Sequence, residues 1–332
     1  MIFANIAQIS TMDNLYTFML IAITVLAAID IIVGVSNDAI NFLNSAIGSK
    51  AISVRTIMIV ASLGIFVGAV YSSGLMEVAR KGIFVPAMFN FNEIMCIFMA
   101  VMITDILLLD FFNTLGLPTS TTVSIVFNLL GAAVVMSLIK IGTSDTQTFA
   151  DLGSYINTKK ALQIIRGIVM SVFIAFTVGA IVQWVSRLIF TFQTENKIKN
   201  FGAIFGAVAL TAITYFIFLK GLKGTPYYKD LKGSIEGNEM YIIGASFALW
   251  LIVSYVFQAL TKKTILLVVI AVGTFGLALA FSGNDLVNFI GVPMAAYHSY
   301  EAWVASGVDA TLFSMDVLDK KVPAEPLLLF IS

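Results

Sequence analysis

The feature that most constrains this chain is a series of apolar stretches, each about as long as a membrane-spanning helix. A helix needs roughly 20 apolar residues to cross the hydrocarbon core of a bilayer. The stretches lie at residues 15–36, 56–74, 94–113, 117–139, 163–191, 201–222, 241–260 and 264–283. Their apolar residues are continuous and do not alternate with a period of two, which disfavours transmembrane β-strands. The sequence therefore predicts an all-α, polytopic membrane protein.

The low content of charged residues leads to the same prediction. Charged side chains make up 11% of the 332 residues, hydrophobic ones make up 59%, and the mean hydropathy is +0.97. A soluble domain carries roughly 25% charged residues, so this chain has too few to cover a water-exposed surface. Basic and acidic residues balance at 19 each, and no basic excess indicates nucleic-acid binding. We expect a multi-pass protein of a plasma or inner membrane, in contact with the lipid bilayer.

The pattern Asn-Asp-x-x-Asn-Phe occurs twice, at residues 37–42 and 284–289, each time directly after a long apolar stretch. The two aspartates, Asp38 and Asp285, are 247 residues apart, and a stretch rich in small residues follows each copy. Related halves are typical of secondary transporters. We predict a first transmembrane repeat at residues 1–190. Connecting spans with a hydrophilic loop would follow at residues 191–240, and a second repeat would start within residues 241–332.

The first copy predicts a polar helical face. If a helix begins near Asn37, its polar side chains recur at the spacing of one face. These are Asn37, Asp38, Asn41, Asn44 and Ser45. The second copy repeats the start of this face with Asn284, Asp285 and Asn288. A carboxylate inside a bilayer needs a cavity or a partner, and hard oxygen ligands suit Na⁺ or a proton. The alternative is that these residues only cap a helix start.

Between the two copies lies Gly-Leu-Pro-Thr-Ser-Thr-Thr-Val-Ser, the hydroxyl segment, at residues 116–124. Pro118 disfavours helix at Leu117 and suits the first turn of a new helix. Free N–H groups at a helix start, the helix dipole and the hydroxyls of the segment would attract an anion without Arg or Lys. The alternative is that these hydroxyls bond back to the backbone.

Acidic residues beside an anion site favour phosphate over sulfate as the substrate. Phosphate keeps a proton near neutral pH, and a carboxylate can accept the hydrogen bond of that proton. Sulfate has no such proton and would be repelled. A co-transported Na⁺ would offset the remaining negative charge.

These elements together resemble the inorganic phosphate transporter (PiT) family. The resemblance rests on Gly34-Val35-Ser36-Asn37-Asp38, on Gly283-Asn284-Asp285 and on residues 116–122, and it spans about residues 15–296. It implies inverted repeats, re-entrant helical hairpins and phosphate uptake coupled to Na⁺ or H⁺, with no cofactor besides the coupling ion. It also implies inorganic phosphate as the partner, and a homodimer is a candidate assembly.

The resemblance assigns site residues by their match to the family motifs. It implies that phosphate is bound by Asn37, Asp38, Ser120, Thr121, Thr122, Asn284 and Asp285. It implies that the coupling ion is bound by Asp38, Asn41, Ser120, Asp285 and Asn288. Asp38 and Asp285 are the candidate Na⁺ ligands.

The sequence departs from the family pattern at several positions. Ser36 and Gly283 stand where the family usually has Ala, and Val123 stands where many members have His. A second Pro-x-Ser-Thr element is expected near residue 365 by the spacing of the motifs. We therefore expect the natural protein to continue beyond residue 332.

Three further acids, Asp30, Asp105 and Asp110, lie within apolar stretches. One of them is a candidate ion ligand or a partner for Arg166 or Arg187, and the alternative, favoured for each acid, is a structural role. Asp105 and Asp110 are five residues apart and do not share a helical face well.

The predicted function is secondary active import of inorganic phosphate, with no enzyme activity. The alternatives are a permease for sulfate or another oxyanion, a channel lined by the acid-amide faces, and an intramembrane enzyme. No Gly-x-Ser-x-Gly or His-Glu-x-x-His motif occurs in the chain, which argues against the enzyme.

Overall fold

The computed structural model describes residues 2–71, 82–190, 194–218, 237–284 and 286–319. Within these residues the chain is helical and contains no β-strand beyond isolated bridges. The longer helices are α1 Ile2–Ser49, α2 Val54–Tyr71, α3 Phe91–Leu115, α4 Thr121–Gly142, α5 Thr158–Phe190, α6 Thr194–Phe216, α7 Glu239–Thr261, α8 Leu266–Asn284 and α9 Leu286–Ser306. The predicted all-α class is confirmed. The predicted inverted repeats and re-entrant hairpins stay predictions.

Each of the eight predicted apolar stretches overlaps one of these helices, and residues 72–74, 191 and 219–222 at the ends of three stretches lie outside the described residues. In the described part of the chain, six stretches are long and apolar enough to cross a membrane: Asn14–Ser49, Phe91–Leu115, Thr121–Gly142, Thr158–Phe190, Glu239–Thr261 and Leu266–Ser306. The other two, in α2 and α6, are shorter apolar helices, Val54–Ala69 and Phe201–Phe216. The chain is therefore a multi-pass membrane protein.

Two helices differ from the sequence-based expectations. α1 runs without a break through the first motif, whereas we expected a helix to begin near Asn37. The Ser36 hydroxyl donates to the Ile32 carbonyl at 2.8 Å, so this residue is satisfied inside a continuous helix. α9 was not predicted as a span, because Pro293 and several polar and small residues lower its hydropathy.

The chain divides into two compact units. Unit 1 comprises Met1–Asn41, Gly74–Gln163 and Asn284–Ser332, and unit 2 comprises Phe42–Ser73 and Ile164–Gly283. The predicted limits at residues 190 and 240 concern internal repeats and stay a prediction. Most of the predicted hydrophilic loop lies outside the described residues.

An aromatic cluster joins three helices of unit 1. The rings of Phe91 in α3 and Trp303 in α9 stack with their centroids 4.5 Å apart. Tyr16 of α1 packs edge-on against both rings, at 5.0 and 5.2 Å. Each such aromatic pair contributes roughly 0.5–1.5 kcal/mol beyond the burial of its area. This cluster fixes α1, α3 and α9 against one another.

In unit 2, α2 and α8 approach closely at two glycines one turn apart. A Cβ atom at Gly64 would lie 2.6 Å from the carbonyl oxygen of Phe275, and one at Gly68 would lie 2.5 Å from that of Leu279. The Ser282 hydroxyl donates to the carbonyl of Ile65 at 2.7 Å. Small residues four apart allow such contact between membrane helices, where close packing replaces the hydrophobic effect.

Candidate functional site

The loop between α3 and α4 and the first turn of α4 carry the hydroxyl segment. α3 ends at Gly116, which adopts φ 67° and ψ 27°, a left-handed conformation that glycine takes without strain. Ser120 caps α4, and its hydroxyl oxygen accepts a 3.3 Å hydrogen bond from the N–H of Val123. We expected Pro118 in the first helical turn, but α4 begins only at Thr121. Pro118 lies in the loop because Ser120 takes the cap position.

Asn37 holds this loop against α1. Its side-chain oxygen accepts a hydrogen bond from the N–H of Thr119 at 2.8 Å. Its Nδ2 donates to the Asn113 side-chain oxygen at 2.8 Å and to the Leu117 carbonyl at 3.1 Å. Asn37 is only 1% exposed, and a primary amide has two N–H donors. Both donors are therefore directed at protein acceptors.

Asn113 is a site residue that the sequence analysis missed. Its Nδ2 donates to the carbonyl of Val33 in α1 at 3.0 Å, while its oxygen receives the bond from Asn37. In the sequence, Asn113 stands out only as an amide at the last position of an apolar stretch, three residues before Gly116. Nothing in the spacing indicated that this amide meets the first motif.

Asp38 lies beside the Asn37 contact and is 3% exposed. The Nδ2 of Asn41 lies 3.3 Å from the Asp38 Oδ1, one helical turn away. The five polar residues predicted to share a face do not share one environment. Asn37 and Asp38 are buried, whereas Asn41, Asn44 and Ser45 are exposed.

The second motif contacts the start of α4 through Asn288. The Nδ2 of Asn288 donates to the hydroxyl oxygen of Thr122 at 2.8 Å. Asp285 lies outside the described residues, as does the side chain of Asn284.

The two motif regions also pack against each other within unit 1, where the Phe289 ring lies against the backbone of Gly34. A Cβ atom at Gly34 would lie 2.2 Å from the ring of Phe289, which is 1% exposed. The glycine therefore makes room for the phenylalanine of the other motif.

The hydroxyls of the segment differ in their surroundings. Ser120 is exposed, Thr121 is 2% exposed, and Thr122 is half-buried. Ser120 makes an N-cap contact, as expected under the alternative that the hydroxyls of the segment bond back to the backbone. In the described part of unit 1, no Lys or Arg forms a hydrogen bond or ion pair with the hydroxyl segment. The polar groups gathered here are amides, hydroxyls, helix N–H groups and one carboxylate, a set that can surround a protonated anion or a hard cation.

Comparison with known proteins identifies the family of this chain. The Phosphate transporter family matches residues 34–320, which include both motifs and the hydroxyl segment. Relatives named "Putative phosphate permease" come from Pyrococcus furiosus, 24% identical over 287 residues, and from Haemophilus influenzae, 26% identical over 294 residues. These alignments cover 82% and 79% of this chain but 64% and 62% of the relatives. The chain thus spans less than two thirds of the length of these relatives.

A solved structure described as the sodium-dependent phosphate transporter has a similar fold. The TM-score is 0.61 at 20% sequence identity, and the alignment covers 94% of this chain and 73% of that structure. At this identity the likeness concerns the fold. Since the family match extends over most of the sequence, the chain belongs to the phosphate transporter family, a family of transporters and not of enzymes.

Proposed function

We infer that this protein moves inorganic phosphate across a membrane as a secondary active transporter, with Na⁺ or H⁺ as the coupling ion. One observation carries this proposal: Asn37 binds the hydroxyl segment beside Asp38, and Asn288 of the second motif binds Thr122 of the same segment. Both motifs thereby contact the segment that carries the hydroxyls, the first motif at the backbone of the segment and the second at the Thr122 hydroxyl.

In this proposal the start of α4 supplies the donors for phosphate. The hydroxyls of Ser120, Thr121 and Thr122 and the first N–H groups of the helix would point to the oxyanion. The carboxylate of Asp38 would accept the proton that phosphate retains and sulfate lacks. Asn37 would act as a positioning residue, because both of its N–H groups already donate to the protein.

The remaining predicted ligands keep the roles that the family resemblance implies. Asn284 and Asp285 would contribute to phosphate binding from the second copy. Asp38 and Asp285 would share the coupling Na⁺, with Asn41, Ser120 and Asn288 nearby. Each of these roles is a proposal that uptake measurements on single variants can test.

A reciprocal pair of contacts supports the inverted repeat. In unit 1, Gly34 packs against the ring of Phe289. In unit 2, the rings of Phe42 and Phe281 lie 5.2 Å apart. With the 247-residue spacing of the motifs, the position of Gly34 in the first copy corresponds to Phe281 in the second copy, and Phe42 corresponds to Phe289. The two contacts are therefore the same pair with the copies exchanged, as expected for related halves.

The test is phosphate uptake by the whole protein in proteoliposomes, under a Na⁺ gradient alone and a pH gradient alone. We expect accumulation above the external phosphate concentration under at least one gradient, and little inhibition by excess sulfate. Asp38→Asn should abolish uptake, whereas Asp110→Asn should not, because Asp110 is exposed on α3.

Three results would contradict the proposal. Equal inhibition by sulfate and phosphate would identify a general oxyanion permease. Uptake that follows only the phosphate gradient would identify a channel. Wild-type uptake by the Asp38→Asn variant would refute the role assigned to that carboxylate.

A further inference from the structure

A second polar cluster lies inside unit 1, one to two helical turns from the first motif. Asp30 of α1 and Asp105 of α3 are 0% and 1% exposed, and their carboxyl groups interact with each other. The Ser124 hydroxyl and the Asn128 amide of α4, the latter at 2.8 Å, both donate to Asp105 Oδ1. We call these four residues the carboxyl-pair cluster.

Three carboxyl oxygens of this cluster have no hydrogen-bond donor among the described residues. They are both oxygens of Asp30 and the Oδ2 of Asp105. Neither acid forms an ion pair with a Lys, Arg or His in the described part of unit 1. Arg166 and Arg187, the partners that the sequence analysis considered, belong to unit 2. Asp110 points elsewhere on α3 and is exposed.

Two adjacent carboxylates cannot both remain charged in such a place without a cation. Burial removes the water that would stabilise each charge, and the two like charges repel each other. The charge must be offset by a proton shared between the acids or by a metal cation between them. The available ligands are carboxylate, hydroxyl and amide oxygens, which suit a small hard cation.

We propose that the carboxyl-pair cluster is a binding site for one monovalent cation, Na⁺ or a proton, separate from the proposed phosphate site. The site uses Asp30 and Asp105 as its anionic ligands and Ser124 and Asn128 as its neutral ones. That this cation is a coupling ion rests on the proposed function, whereas its binding does not.

The cluster is connected to the phosphate site through two helices that run in the same direction. Asp30 meets Asp105, and Asn37, seven residues further along α1, meets Asn113, eight residues further along α3, so α1 and α3 are locally parallel. Seven residues of helix correspond to about 10 Å. The cation site therefore lies at a different depth from the Asn37 contact.

α4 provides the physical coupling between the two sites. The N–H of Ser124 donates to the carbonyl of Ser120 at 2.9 Å, within the first turn of the helix. A cation that fixes Ser124 would also fix the turn that presents Ser120, Thr121 and Thr122. Because coupling between two binding sites is reciprocal, phosphate would in turn tighten cation binding.

The groups that act on the two acids are few. The carboxyl groups of Asp30 and Asp105 interact with each other, and Ser124 and Asn128 form hydrogen bonds with Asp105. No other titratable or charged group of α1, α3, α4 or α9 in the described residues contacts them. A change in cation or pH dependence after mutation of either acid would thus report on this cluster.

The first experiment measures binding without transport. The thermal midpoint of the purified protein is followed in NaCl and in choline chloride at equal ionic strength, across a pH range. For a Na⁺ site, we expect a Na⁺-specific rise in the wild type that Asp30→Asn and Asp105→Asn each reduce and Asp110→Asn retains in full. For a proton site, the same two variants should abolish a pH-dependent change that Na⁺ does not affect.

The second experiment measures uptake in proteoliposomes. Asp30→Asn and Asp105→Asn should raise the cation concentration for half-maximal phosphate uptake at least ten-fold, or abolish coupling, and Asp110→Asn should not. If neither the wild type nor any variant accumulates phosphate, the proposed function is contradicted. The cation site would still be supported if the thermal midpoints of the wild type and the two acid variants differ as in the first experiment.

Wild-type cation and pH dependence of both variants in both experiments would overturn the proposal. If either acid-to-amide variant fails to fold, Ser124→Ala and Asn128→Ala serve as weaker probes. Each removes one neutral ligand and should raise the half-maximal cation concentration several-fold. Unchanged values in both of these variants would also overturn the site.

Discussion

The side-chain amide of Asn288 donates a 2.8 Å hydrogen bond to the hydroxyl of Thr122, a residue 166 positions earlier in the chain. This bond links the second copy of the motif to the start of α4. It is the described contact through which the second copy touches the hydroxyl segment, and it makes the position of Thr122 depend on α9.

We predict that Asn288→Ala lowers phosphate uptake chiefly by raising KM, by about ten-fold, which corresponds to about 1.4 kcal/mol of binding free energy. The reason is that Thr122 loses the donor that fixes its hydroxyl. Concentration-dependent uptake in proteoliposomes would measure the change. Asn44→Ala is the matched control, because Asn44 is an exposed amide that follows the first motif. Equal KM values in the two variants would contradict the prediction.

Asn37 and Asn113 should be energetically coupled. Asn37→Ala removes three hydrogen bonds and should lower the free energy of unfolding by roughly 2–3 kcal/mol, at about 1 kcal/mol for each bond. A double-mutant cycle with Asn113→Ala should give a coupling of about 1 kcal/mol. Unfolding in detergent would measure both values. Strictly additive effects would show that the Asn37–Asn113 bond contributes nothing.

The contact of α2 with α8 predicts a strong asymmetry between two glycine substitutions in unit 2. Gly68→Ala should destabilise the protein by roughly 2 kcal/mol or more, since the added methyl group meets backbone atoms that cannot move aside. Gly244→Ala in α7 should be neutral or stabilising by up to about 1 kcal/mol, because no atom lies within 4 Å of the added Cβ. Thermal unfolding of the two variants would test this, and similar midpoints would argue against the close approach.

A pH-dependent turn follows α9. Asp309 Oδ1 accepts hydrogen bonds from the N–H and the hydroxyl of Thr311, at 2.8 and 2.6 Å. These bonds hold the pKa of Asp309 below its ordinary value of 3.8. The lowered pKa means that the turn is stabilised above the ordinary value and loses this contribution as the pH falls through the lower, folded value.

We expect Thr311→Val to raise the pKa of Asp309 toward its ordinary value, which an NMR titration of the carboxyl carbon would show. Ser314→Ala is the control, because the Ser314 hydroxyl contacts the carbonyl of Ala87 at 3.4 Å and not Asp309. A shift of equal size in the control would mean that the loop as a whole, and not the Thr311 bonds, sets the pKa.

Much of the architecture could be predicted from sequence because a helix in contact with lipid needs a continuous stretch of roughly 20 apolar residues. Continuous apolar stretches located the spans, and each predicted stretch overlaps a described helix. The rule failed at α9, where Pro293 and polar residues interrupt the apolar pattern. The rule also could not show that α1 continues past Asn37, since Asn, Asp and Ser are compatible with both a helix start and a helix interior.

The sequence predicted which kinds of polar group form the site, but not which side chains contact each other. The repeated motif and the hydroxyl segment identified Asn37, Asp38, Thr122 and Asn288 as polar groups in an apolar chain. The partner Asn113 and the contact of Asp30 with Asp105 depend on which helices are neighbours and in which direction they run. Local spacing carries no such information, so these contacts became visible only in three dimensions.

The parallel course of α1 and α3 has a consequence for sidedness. Two neighbouring helices that traverse a bilayer in the same sense begin in the same compartment. The starts of α1 and α3 therefore face the same compartment, and reagents confined to one face of the membrane should reach the starts of both helices or of neither.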